Sequence, residues 1–175
     1  MKSVSFDAST VECLVLTYKA GLLAGIGHDL KLRCERFEIS LDDAGIRARF
    51  DAASLRVVAA QVGGKDDLRA LSDRDRREIE ATIAREVLDV RRYPAIEFRA
   101  RPVTLLPEPA IEGTLSIRGT ERPMTLNPRR EGDRALVETL LHQPAFGVRP
   151  YTAMLGALRV QPDVRVRISA PWPES

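Results

Sequence analysis

Hydrophobic and charged residues alternate one by one along several short stretches of the chain. Ile46, Ala48 and Phe50, for example, are separated by arginines, and residues 96–101 and 163–168 repeat the pattern. Because successive side chains of a β-strand point to opposite faces, this period predicts antiparallel strands with one apolar and one solvated face. The apolar faces must then cover one another.

Turn-forming residues separate eight segments of this character. In the second segment the apolar parity changes beside Glu35 and Arg36, which predicts a bulge or bend that keeps both apolar sets inward. The eight predicted strands cover residues 11–18, 30–41, 46–51, 96–101, 111–118, 123–129, 134–142 and 163–168.

One segment predicts a helix, from Ser72 to Val87. Ser72 and Asp75 have the spacing of a capping box, and Ile79, Ile83 and Val87 then share one face. Pro94 prevents any continuation, because the residue before a proline favours an extended backbone. Before this helix, residues 61–65 with two adjacent glycines predict a flexible loop.

These elements predict an all-β fold, an eight-stranded antiparallel barrel with one main packed α-helix. A closed sheet of about eight strands has an interior that side chains fill or that holds one small ligand. A length of 175 residues suits a single domain, residues 1–175. The strand pattern alone leaves the filled and the hollow barrel as alternatives.

Charge and hydropathy exclude several classes of protein. The net charge is +2, from 27 basic and 25 acidic residues, so the molecule lacks the charge of a nucleic-acid binder. No apolar run approaches the about 20 residues that span a bilayer. Asp7, Glu12 and Lys19 interrupt the N-terminal apolar stretches, so we expect no signal peptide and a cytoplasmic location. Because the cytoplasm is reducing, we expect Cys13 and Cys34 to be free buried thiols.

No constellation of catalytic or metal-binding residues emerges. The chain lacks a nucleophile elbow, a phosphate-binding loop and paired Cys or His ligands, and its two histidines are far apart in sequence. We therefore expect a protein that is not an enzyme and that takes no metal or cofactor.

Two polar clusters are candidates for contact with the polar end of a ligand. Arg149 and Tyr151 lie in a segment with glycine and proline that suits a barrel mouth, where a guanidinium pairs with phosphate or carboxylate. His28 and Asp29 precede the second strand. The plain alternatives are a surface arginine and a structural histidine.

Apolar residues at inward parity are either an ordinary core or the wall of a ligand cavity. We add Met154 to the predicted wall, because a methionine side chain adapts to irregular apolar surfaces. With Leu155 it is expected to gate the mouth of the barrel. The full set is Phe50, Ile96, Phe98, Leu115, Ile117, Met124, Leu126 and Met154.

Three stretches together resemble the YceI-like family of lipocalin-like barrels. They are Val87–Ala100 with its Tyr-Pro junction, Leu115–Met124 and Phe146–Tyr151. Further pieces of the resemblance are residues 27–30, 54–57 and 71–79, so that it extends over most of the chain. The resemblance rests on the order and spacing of these pieces along the chain.

The resemblance implies an elongated apolar tunnel that binds, and carries or sequesters, a polyisoprenoid or fatty-acid-like lipid, and it implies a homodimer. Many members are periplasmic, whereas the signal peptide expected of them is not seen here. With the resemblance, the eight apolar residues above become the predicted lumen. Two alternatives remain: a filled barrel that serves as an interaction module, and an enzyme acting on a bound isoprenoid quinone, with His28 as its first candidate residue.

Overall fold

A computed structural model describes residues 3–21, 25, 27–102 and 109–172. All strand pairs in it are antiparallel, and the strands form two large sheets and one small one. The strands are β1 (Val4–Asp7), β2 (Glu12–Thr17), β3 (Lys19–Ala20), β4 (Asp29–Cys34), β5 (Phe37–Asp42), β6 (Gly45–Asp51), β7 (Leu55–Val62), β8 (Lys65–Asp67), β9 (Ala95–Ala100), β10 (Ile111–Ile117), β11 (Thr120–Leu126), β12 (Arg129–Glu131), β13 (Arg134–His142), β14 (Thr152–Ala153), β15 (Leu158–Val160) and β16 (Asp163–Pro171).

Sheet I has the order β1-β5-β6-β9-β10-β11, and sheet II has the order β12-β13-β16-β2-β4-β7-β8. Sheet III is the small sheet β14-β15-β3. Each of the eight predicted segments overlaps at least one strand, so the antiparallel all-β fold is confirmed. The count of eight strands and the closure of the barrel stay predictions.

The alternating pattern has the expected orientation. Ile46, Ala48 and Phe50 of β6 line the interior, whereas Arg49 lies outside and pairs there with Glu97 of β9. Strand β6 therefore separates an apolar inner face from a solvated outer face, as its period of two requires.

The predicted bend at residues 35–36 joins the two large sheets. Ser54 is fully buried at this corner, and its hydroxyl accepts a hydrogen bond from the Arg36 backbone N–H at 3.0 Å. The backbone N–H of Glu35 donates to the Ser54 carbonyl at 3.1 Å. These bonds replace the interrupted ladder, so that β4 passes into β5 beside the passage of β6 into β7.

The main helix begins where the sequence predicts and ends earlier. Helix α1 covers Asp73–Thr82, and a π-helical turn continues it through Ile83–Val87. The capping box is confirmed: Asp75 N–H donates to the Ser72 hydroxyl at 3.1 Å, and Ser72 N–H donates to the Asp75 carboxylate at 2.9 Å. Among the described residues, no helix has the length and apolar character needed to cross a bilayer.

The prediction of a flexible loop over residues 61–65 is wrong. Strand β7 continues to Val62, Gly63 and Gly64 form a tight turn, and β8 begins at Lys65. Both glycines have positive φ, the conformation that a two-residue hairpin turn demands. The pair of glycines is therefore a hairpin signal.

Candidate ligand-binding cavity

The inner faces of sheets I and II enclose a cavity of about 890 Å³. That volume lies in the upper part of the range of about 300–1,000 Å³ found for small-molecule sites. Aliphatic and aromatic side chains make most of its wall. Seven of the eight residues predicted as lumen line it, namely Phe50, Ile96, Phe98, Leu115, Ile117, Met124 and Leu126.

The incomplete burial of some of these residues reflects the hollow interior. Phe98, Leu115 and Ile117 are buried, whereas Ile96 and Met124 face inward and remain only half-buried. An inward side chain that is not buried has empty space in front of it. Protein interiors normally contain few voids larger than a water molecule, so this one is a feature of the fold and not a packing fault.

Helix α1 is part of the cavity wall. Ile79 of α1 and Ile83 of the following π-helical turn line the interior, where they pack with Leu71 and Leu32. The prediction that Ile79, Ile83 and Val87 face the sheet agrees with these contacts. The helix lies along the edge of β7 rather than merely outside the strands.

The cavity reaches the surface at one end, beside sheet III. Tyr151 is 40% exposed and also lines the cavity, and exposed His28 and Arg159 do the same. A side chain that touches both solvent and cavity marks an opening. We call this opening, which Lys19 also lines, the cavity mouth; the exposed Asp75 and Glu78 of α1 line the cavity as well.

The polar residues predicted for a headgroup separate in the structure. His28 and Tyr151 lie at the cavity mouth, whereas Arg149 is exposed and lies outside the lining. The Asp29 carboxylate accepts a hydrogen bond from the Lys19 backbone N–H at 2.8 Å, so its contact is structural. We expected Arg149 and Asp29 at the cavity, but neither residue is part of its lining.

Met154 also lies outside the cavity. It is 59% exposed at a loop tip, so the expected inward position is wrong for this residue. Arg159 and Lys19 are the mouth cations that the sequence analysis missed. The alternation of Leu158, Arg159 and Val160 resembles that of the other strands, but it spans only three residues and is too short to stand out.

Two thiols line the cavity on neighbouring strands. The ladder between β2 and β4 pairs Leu14 with Arg33, and the same register places Cys13 opposite Cys34. Both cysteines are free and buried. Burial raises the pKa of the Cys13 thiol far above its usual value, and it raises that of Cys34 as well.

Two carboxylates that line the cavity have a lowered pKa. Hydrogen bonds from the Ala44 N–H and from Arg47 hold the pKa of Asp42 below its usual value. At the helix, Ser72 lowers the pKa of Asp75. Within the described ranges, no three His, Cys, Asp or Glu side chains come together in a metal-binding group.

Two solved structures share this fold. A polyisoprenoid-binding domain from Saccharophagus degradans, described as implicated in plant cell wall breakdown, has a TM-score of 0.64 and 11% identity, over 97% of this chain and 98% of that one. BcnA from Burkholderia cenocepacia has a TM-score of 0.61 and 13% identity, over 93% and 96% of the chains. No curated protein matches the sequence significantly.

The sequence itself identifies the family. The YceI-like domain matches residues 4–171, which include every strand described above. The protein therefore belongs to the YceI-like family.

Proposed function

We propose that this protein binds a polyisoprenoid or another long-chain amphipathic lipid in its cavity, and that it carries or sequesters that lipid. The apolar cavity of about 890 Å³ is the observation that carries the proposal. Each methylene removed from water contributes about 0.8 kcal/mol, so a hydrocarbon wall binds a long chain without specific chemistry. The likeness to a domain described as polyisoprenoid-binding supports the same class of ligand.

The polar end of the ligand belongs at the cavity mouth in this proposal. Lys19 and Arg159 carry positive charge there, and the Tyr151 hydroxyl is a further hydrogen-bonding group. A phosphate or carboxylate suits this set, because a guanidinium donates two parallel hydrogen bonds to such a group. The hydrocarbon tail then extends from the mouth between sheets I and II.

Binding without catalysis is the function that this lining favours. The wall consists mainly of hydrocarbon, and polar side chains are a minority of its lining. A filled barrel acting only as an interaction module is disfavoured, because closely packed interiors do not contain space of this size.

Organic extraction of the purified protein tests the proposal. The extract is examined by mass spectrometry beside an extract of an unrelated protein purified from the same cells. We expect one class of long-chain lipid in stoichiometric amount. An extract without enriched lipid, together with no uptake of an added long-chain prenyl phosphate, would refute the proposal.

A further inference from the structure

The tip of sheet III presents apolar side chains that stay exposed among the residues the structure describes. Between β14 and β15, a tight turn covers Met154–Gly156. Met154 is 59% exposed, and Leu155 at 109% is more exposed than in an extended reference chain. We call residues 151–158 the mouth loop.

The backbone holds these two side chains outward at a conformational cost. Met154 and Leu155 have φ values of 52° and 56°, in the left-handed region that bulky residues rarely adopt. A hydrogen bond from the Ala157 N–H to the Met154 carbonyl at 3.1 Å closes the turn. Backbone strain of this kind clusters at functional sites.

The mouth loop adjoins the opening of the cavity. Tyr151, at its start, is exposed and lines the cavity, and Leu158, at its end, lines the cavity as well. Whatever covers Met154 and Leu155 therefore lies directly before the opening.

The chain segment that carries the loop is positively charged. The stretch from Gln143 to Pro162 contains two arginines, Arg149 and Arg159, and neither aspartate nor glutamate. Both arginines are exposed. Two apolar side chains are too few for a specific protein interface, which buries about 1,200 Å² or more, whereas apolar tips flanked by cations suit an anionic bilayer surface.

We propose that the mouth loop docks on an anionic lipid bilayer by inserting Met154 and Leu155 among its headgroups, with the cavity opening toward the membrane. Docking in this orientation lets a lipid chain move between bilayer and cavity without crossing water, which would expose its methylenes. This transfer of lipid rests on the proposed function, whereas the docking itself does not.

Co-sedimentation with lipid vesicles tests the docking. The probes are vesicles of phosphatidylcholine alone and of phosphatidylcholine with phosphatidylglycerol. The test variant is Met154→Asn/Leu155→Asn, because asparagine tolerates the left-handed backbone and removes only the apolar groups. We expect the native chain to bind the anionic vesicles, less at high salt, and the double variant to bind them at least tenfold more weakly. Should the double variant unfold, Leu155→Asn alone gives the same comparison.

Leu140→Asn is the matched control, since Leu140 is 57% exposed on β13, on the wall of the molecule rather than at the mouth. It should bind vesicles as the native chain does. The proposal is overturned if the native chain does not bind, if the Asn variants bind equally well, or if Leu140→Asn loses as much. It is also overturned if the loop variant abolishes self-association, which would assign the loop to a second copy. Extractable lipid is measured on every variant, and its absence from all of them counts against the proposed function alone.

Discussion

The carboxylate of Glu80 on α1 accepts a hydrogen bond from the backbone N–H of Val57 on β7 at 2.9 Å. Val57 is buried, and Glu80 is largely so. The helix thus satisfies a backbone donor at the edge of β7 that would otherwise need a partner strand. This contact fixes one wall of the cavity.

Replacing Glu80 with alanine should therefore destabilise the protein. The Val57 N–H loses its acceptor while it stays buried, which costs about 1–3 kcal/mol. Glu80→Gln keeps an acceptor oxygen and should cost less. Urea unfolding followed by circular dichroism measures the change in unfolding free energy.

Glu78→Ala is the control for that comparison. The Glu78 side chain is 64% exposed and pairs with Arg74 one turn away. Exposed pairs of this kind contribute about 0.3–0.5 kcal/mol. Equal losses for Glu78→Ala and Glu80→Ala would show that the bond to Val57 contributes nothing particular.

Gly113 on β10 leaves room for the ring of Phe98 on the neighbouring strand. A Cβ at this position would lie 2.5 Å from the Phe98 ring and 2.6 Å from the Arg99 carbonyl oxygen. Gly113→Ala should therefore destabilise the fold by about 1–3 kcal/mol through overpacking. Thermal unfolding measures this, with the exposed neighbour Glu112→Ala expected within about 0.5 kcal/mol of the native chain.

The buried thiols predict a loss of stability at alkaline pH. Burial raises the pKa of Cys13, so the thiol stays protonated in the folded chain while it ionises in the unfolded chain above about pH 8.5. Stability is therefore complete below that pH and falls above it, by at most about 1.4 kcal/mol per pH unit for one thiol.

Cys13→Ala removes this ionisable thiol, so the unfolding free energy should fall less steeply as the pH rises. The measurement is the unfolding free energy of both proteins from pH 7 to 10, and the difference between their slopes is the readout. Parallel curves would mean that the folded Cys13 thiol ionises as readily as the unfolded one.

The positions of two arginines relative to the cavity predict different effects of their removal on ligand affinity. Arg159 lines the cavity, and Arg149 does not. Arg159→Ala should weaken binding of a prenyl phosphate about tenfold, the loss of one charge-assisted hydrogen bond, and leave the matching prenyl alcohol almost unchanged. Arg149→Ala should leave both affinities unchanged. Fluorescence-monitored titration of both variants checks this, and equal losses for phosphate and alcohol would remove Arg159 from the headgroup site.

Local pattern predicted the strands and the helix cap well, because alternation and capping depend on neighbours in sequence. It also identified Phe98 and Leu115 as inward residues. Whether those residues meet other side chains or empty space depends on the separation of sheets I and II, which no single segment encodes.

The polar residues were harder to place for the same reason. Arg149 and Arg159 lie in similar short segments, and only the pairing of β15 with β3 brings Arg159 to the cavity mouth. Met154 is apolar and was expected inside, but its left-handed backbone points it to solvent. Tertiary pairing and local strain decided both positions.

The native mass of Leu115→Arg beside Leu140→Arg tests lipid binding in the cavity most directly. Leu115 is buried on the cavity wall, where an unpaired charge costs several kcal/mol, and Leu140 is exposed outside. Circular dichroism first establishes that both variants are folded. We predict that the native chain and Leu140→Arg carry one lipid each and that folded Leu115→Arg carries none; a folded Leu115→Arg with the same bound mass would contradict binding in this cavity.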